Sequence, residues 1–231
     1  EFKAQIDALV TNGMEQEEAL YKVLKETIIA SKNIRFEGDG YSEEWKKEAE
    51  GRGLTNICHV PEAIMRFNDP QSRSVLIGEK VFNENELNCR IEVELEKYTK
   101  KIQIESRVLG DMAINHIVPT AVIYQNRLLE NLRGLRETFS TEEYEYLGAE
   151  RRELVKEIQL HTMEIKKLVR EMTNARHIAN RLSSQVEKAY SYQDSVSPYM
   201  EKIREHIDDL EMEIDDEIWP LPKYRELLFT K

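Results

Sequence analysis

A seven-residue apolar repeat across residues 141–193 restricts this chain more than any other feature. Steps of four and three from Leu147 reach Arg151, Leu154, Ile158, His161, Ile165, Leu168, Met172, Ala175, Ala179, Leu182, Val186 and Ala189. Only Arg151 and His161 interrupt the apolar seam, and no Gly or Pro falls between Ala149 and Gln193. An apolar period of 3.5 residues held this long predicts a continuous helix that another helix wraps as in a coiled coil. Such a rod would be roughly 75 Å long. It cannot bury its stripe alone, so the flanking segments must supply the partners.

Composition agrees with a helical answer. Gly (9) and Pro (6) are scarce in 231 residues, a third of which are charged. The fold class expected is all-α: a long antiparallel helical hairpin or three-helix bundle with shorter N-terminal helices. With 33 basic against 44 acidic residues, net −11, the chain lacks the basic footprint of a nucleic-acid surface. No apolar run is long enough to span a membrane. Cys58 and Cys89 have no CxxC partner, and two lone thiols suit a reducing cytoplasm. The opening Glu1-Phe2-Lys3-Ala4 is neither an initiator Met nor a signal peptide, and it reads as a cut inside a longer protein.

Along the chain, residues 1–33 read as two helical pieces parted at Thr11-Asn12-Gly13. Ile34–Tyr41 reads as an extended stretch ending in a Gly-rich turn. Ser42 caps a short helix with Trp45 and Ala49, stopped by Gly51 and Gly53. Pro61 opens a further short helix through Phe67. Residues 68–82 show no clean period and read as a loop with one helical turn. Asn83 and Glu86 form a capping box for the first long helix. Pro119 predicts a kink near Asn115–Val118. Ser140 and Glu143 cap the central helix. Ser197-Pro198 reads as the start of a third helix of about 22 residues, with Met200, Ile203, Ile207, Leu210 and Ile214 inward. Trp219-Pro220-Leu221-Pro222 stops it, leaving an apolar tail with Tyr224, Leu227, Leu228 and Phe229. The domains expected are 1–82, short helices and loops linking from an upstream catalytic domain, and 83–231, the long-helix bundle with its tail.

A third helix of that length leaves part of the hairpin bare. Met112–Tyr124 is apolar nearly all round, with Met112, Ile114, Ile117, Val118, Ala121, Val122 and Ile123. A helix of this kind is enclosed on every side. The cover expected is either the short helices before residue 80 or another subunit.

Catalytic motifs are missing. A di-iron bundle needs a Glu three residues before a His, but Asn56, Ala113, Ile158, Asn174 and Ile203 precede His59, His116, His161, His177 and His206. There is no His-Glu-x-x-His, P-loop or Gly-x-Ser-x-Gly. His161 reads as a hydrogen-bonded core histidine. Gly38-Asp39-Gly40 reads as a turn, because Glu37 and Asp39 repel an anion. The acidic run Asp208–Glu217 reads as a solvated helix face, and negative charge at its C-terminal end calls for basic partners. The site expectation is no catalytic, no cofactor-binding and no metal-ligating residue.

Three stretches carry a resemblance. Ile34–Trp45 with Glu48–Leu54, Ile91–Tyr98 with Ile102–Glu105, and Asp215–Phe229 are similar, in that order, to the C-terminal region of type III glutamine synthetases. Ser74-Val75-Leu76-Ile77-Gly78 departs from that pattern. The resemblance implies a parent ligase that joins glutamate to ammonia, using ATP and Mg or Mn through a γ-glutamyl phosphate. It also implies a cytoplasmic homo-oligomeric ring, with the catalytic residues upstream. No position here matches those residues, so this chain would be an assembly extension, inactive alone. The alternative is a stand-alone coiled-coil interaction module.

Overall fold

The computed structural model describes residues 2–228, apart from the side chains of Tyr224 and Arg225. Every regular element among them is helical, as expected. The chain divides into two compact units, Glu1–Cys58 and His59–Lys231.

In the first unit α1 (Phe2–Thr11) and α2 (Gln16–Ala30) are joined through Gly13, whose φ of 91° is open to glycine at no steric cost. Glu17 and Glu18 lie in the first turn of α2, at the positive end of its dipole. Ser42 caps α3 (Glu43–Gly51), accepting from the Trp45 amide at 3.2 Å. The α3 helix closes in a Schellman motif: Leu54 N–H donates to Ala49 O and Gly53 N–H to Glu50 O, with Gly53 at φ 77°. Trp45 stacks on Phe36 with ring centroids 4.0 Å apart. The Arg52 guanidinium sits over the same indole and donates to Arg35 O at 2.8 Å. That contact folds the extended segment back onto the helix.

The second unit opens with α4 (Val60–Met65), with Pro61 in its first turn, and a 3₁₀ turn through Asn68. Residues 70–78 correct the loop reading, because they form a helix, α5 (Pro70–Gly78). Pro70 supplies a preset φ at the first position. Leu76, Ile77 and Phe82 pack against Leu87, Ile91 and Leu95, so tertiary burial stabilises a segment with little periodicity of its own.

The capping box at Asn83 and Glu86 is present and starts α6 (Glu84–Met112). Ala113–Ile117 is a π-helical turn, and α7 (Val118–Thr138) continues from it. Pro119 lacks an N–H and its ring collides with a normal helical carbonyl. The wider π turn just before it accommodates that break in the hydrogen-bond ladder. Ser140 and Glu143 form the second capping box, at the head of α8 (Thr141–Leu147). Gly148 joins α8 to α9 (Ala149–Asn180).

The seam itself is confirmed: Ile158, Ile165, Leu168, Met172 and Ala179 are buried. The single rod is not. The chain turns at Arg181–Ser184 and starts again as α10 (Gln185–Ser191), capped by the Ser184 side chain on the Glu187 amide. The α9 helix is therefore about 48 Å long. A second π turn, Tyr192–Val196, leads into α11 (Ser197–Glu213). Ser197-Pro198 does not begin the third helix, which starts twelve residues earlier, at Gln185 rather than Ser197. Pro198 is carried inside it by the same π device that carries Pro119.

This shift of the hairpin changes what covers the centre. Ala113, Ile117, Val118 and Ala121 are buried in one core with Ile158, Ile165, Tyr192, Val196, Ile203 and Leu210. The cover for that side comes from within the unit. Val122 and Ile123 stay exposed, so on that face the chain itself supplies no cover. Each fully buried Ile or Leu contributes roughly 1.5–3 kcal/mol. Trp219 closes the bottom of the core, and α12 (Tyr224–Leu227) follows. Leu227 and Leu228 are exposed, and Phe229 lies outside the described residues.

Candidate functional site

Three of the polar clusters in the second unit bear on its candidate sites. The first spans the hairpin turn. Tyr192 Oη donates to Asn180 Oδ1 at 2.8 Å, and Gln103 Nε2 reaches the same oxygen at 3.2 Å. One turn further along α6, Tyr98 Oη donates to Gln193 Oε1 at 2.5 Å, and Gln193 Nε2 meets His59 Nδ1 at 3.0 Å. Burial pushes both phenols above their ordinary range. These groups lock α4, α6 and the second π turn together, which is a structural task.

The second place is the end of α11. Lys223 Nζ donates to Glu211 O at 2.6 Å and Ile214 O at 3.1 Å, and it pairs with Asp216 at 2.6 Å. Arg127 lies 3.6 Å from Asp215. The basic partners required at this acidic helix end are therefore supplied by the chain itself, and the lysine satisfies carbonyls that the helix leaves open.

The third place lies between α9 and α11. His161, the interruption of the seam, faces His206 with Nδ1 to Nδ1 at 3.0 Å. It is hydrogen-bonded, as read from its place in the seam. Asp209, three residues after His206, brings Oδ2 to 3.8 Å from His161 Nδ1. One turn beyond, Glu213 carries a buried Oε2. Its carboxyl is held above the usual range, first by burial and then by the neighbouring charges of Glu157 and Asp209. In the sequence His206 fails the Glu-x-x-His test and Asp209 is one carboxylate of an acidic run. Their partner is 45 and 48 residues away on another helix, and no local spacing signals that.

The remaining candidates are structural. Asp39 Oδ1 accepts from the Tyr41 amide at 2.9 Å, so Gly38-Asp39-Gly40 is a side-chain-closed turn. Cys58 and Cys89 are free and exposed. Among the described residues no helix is long and apolar enough to cross a membrane.

The second unit is thus an all-helical domain with long antiparallel helices. The family model described as "Glutamine synthetase C-terminal domain" matches residues 19–136, and the chain belongs to that family. A "Glutamine synthetase" of Bacteroides fragilis (strain YCH46) is 68% identical over 231 residues, all of this chain and 32% of the relative. A "Type-3 glutamine synthetase" of Dictyostelium discoideum is 29% identical over 219 residues, 92% of this chain and 29% of the relative. A "Glutamine synthetase" of Butyrivibrio fibrisolvens is 27% identical over 95% of this chain and 31% of its own length. The chain thus spans about a third of the length of the curated relatives it matches. The resemblance to type III glutamine synthetases is borne out.

Proposed function

We propose that this chain is the C-terminal helical region of a cytoplasmic type III glutamine synthetase and serves its assembly rather than its chemistry. The observation that carries this reading is the 68% identity running the whole length of the chain within a relative about three times as long. A stand-alone coiled-coil module accounts poorly for that relationship. In this reading the parent is a glutamate–ammonia ligase that uses ATP and Mg or Mn and assembles as a homo-oligomer.

Residues 1–82 then lead from an upstream catalytic domain, and 83–231 form the bundle. The residues here do not suit the parent's cofactors. Glu37 and Asp39 put negative charge at the Gly38-Asp39-Gly40 turn before α3, where a nucleotide's phosphates would be repelled. Magnesium prefers oxygen donors throughout, whereas the His161 site leads with two imidazoles. No catalytic step is assigned to this chain.

The test has two arms. The purified chain forms no γ-glutamyl hydroxamate, while the full-length synthetase does. Deleting 59–231, the whole second unit, from the full-length enzyme lowers the number of subunits per particle in sedimentation. Hydroxamate formation by the chain, or an unchanged subunit number after the deletion, overturns the proposal.

A further inference from the structure

We propose that His161, His206 and Asp209 bind one divalent transition-metal ion of the zinc class, which staples α9 to α11. The Nδ1 atoms of the two imidazoles face each other at 3.0 Å, with ring centroids 5.2 Å apart and planes at 67°. Two nitrogens bound to one tetrahedral zinc, each at about 2.0–2.1 Å, lie roughly 3.3 Å apart. The histidines already stand close to that spacing. The metal replaces the N–H···N bond between them: the donor imidazole shifts its proton from Nδ1 to Nε2, and small ring rotations turn both Nδ1 lone pairs to the ion.

Asp209 supplies the third donor. All three donor atoms lie within 4.8 Å of one another. Asp209 shares a face of α11 with His206, three residues on. Its side chain is exposed, so a small rotation of the carboxylate closes the 3.8 Å gap to ligand spacing. Water completes the fourth position. Imidazole with carboxylate is the donor set that zinc and its neighbours in the first row accept, and one that calcium and magnesium do not favour.

The surroundings suit a cation. Glu157 and Glu213 add two carboxylates one turn along the same helix pair, so the local charge is negative. The supporting helices are fixed by Ile158, Ile165, Ile203, Ile207 and Leu210, buried on either side of the histidines. Ligands on rigid elements lose little freedom on binding. The sequence argument against a metal used carboxylates three residues before a histidine on one helix. This site takes its carboxylate three residues after a histidine and its second imidazole from another helix.

The test is a zinc titration of the chelator-stripped chain by calorimetry, with cobalt substitution read by visible absorption. We expect one equivalent of zinc per chain, a rise in melting temperature, and cobalt bands of a four-coordinate nitrogen–oxygen site. His206→Gln and Asp209→Asn each weaken zinc binding at least about tenfold, since loss of even an outer-shell partner costs that much. Asp209 is exposed, so Asp209→Asn keeps its fold, as circular dichroism verifies. His116→Gln and His177→Gln, at exposed histidines elsewhere, leave binding unchanged. Absence of stoichiometric binding overturns the proposal. So does binding that survives both His206→Gln and Asp209→Asn, or that falls equally in His116→Gln.

Discussion

Tyr192, fully buried on the second π turn, donates its hydroxyl to Asn180, the last residue of α9, at 2.8 Å. This bond ties together the two sides of the Arg181–Ser184 reversal and fixes where the third helix begins. Tyr192→Phe should cost about 1 kcal/mol, the usual net worth of such a bond. Tyr192→Ala should cost about 3–5 kcal/mol, through the cavity it leaves. Urea unfolding of both variants checks the order. No loss in Tyr192→Phe would mean that the hydroxyl contributes nothing.

Lys223 stands in for the missing donors at the end of α11. Lys223→Met keeps most of the apolar stem but removes the ammonium from Glu211 O, Ile214 O and Asp216. The expected loss is about 1–3 kcal/mol, the range for bonds to a charged group. The loss should shrink in high salt only in its ion-pair part. Thermal melts at two ionic strengths measure both.

Gly148 is needed for space. A Cβ there would lie 3.0 Å from Tyr144 O, 3.1 Å from Leu132 Cδ2 and 3.2 Å from Arg152 Nη1. Gly148→Ala should therefore destabilise by about 1 kcal/mol, because crowding of roughly 1–3 kcal/mol outweighs the helix propensity gained. Gly134, inside α7, meets nothing within 4 Å. Gly134→Ala should stabilise by about 0.8–1 kcal/mol. Opposite shifts in melting temperature are the expected result.

Ile117 and Ile123 separate the two faces of the central helix. Ile117 is fully buried and Ile123 is 53% exposed. Ile117→Asp buries an unpaired carboxylate and should cost more than about 4 kcal/mol. Ile123→Asp and Glu130→Lys should stay within about 0.5 kcal/mol for this chain. Circular dichroism melts decide this prediction, and comparable damage by Ile117→Asp and Ile123→Asp would overturn it.

Much of the fold was legible in the sequence because its causes are local. The capping boxes at Asn83–Glu86 and Ser140–Glu143, the Ser42 cap and the glycine stop at Gly53 involve groups within a few residues of each other. The heptad seam named the buried residues of α9 because side-chain direction on a helix follows its period. Even the strain at Pro119 was visible, since the lost N–H belongs to the residue itself.

Tertiary structure decided the rest. Leu182, Val186 and Ala189 continue the seam whether the rod runs on or reverses, so periodicity alone cannot place the turn. The Ser184 side chain accepting from the Glu187 amide is the local feature that starts α10. Packing against α6 selects the reversal, which sends Tyr192 and Val196 into the core and brings cover to Ile117. The α5 helix, likewise, owes its existence to Leu76 and Ile77 on α6 rather than to its own pattern. His161 announced itself by breaking the seam, but His206 and Asp209 became its neighbours only when α11 folded back along α9. Contacts between groups 45 residues apart depend on how helices pack, and no spacing along the chain encodes that distance.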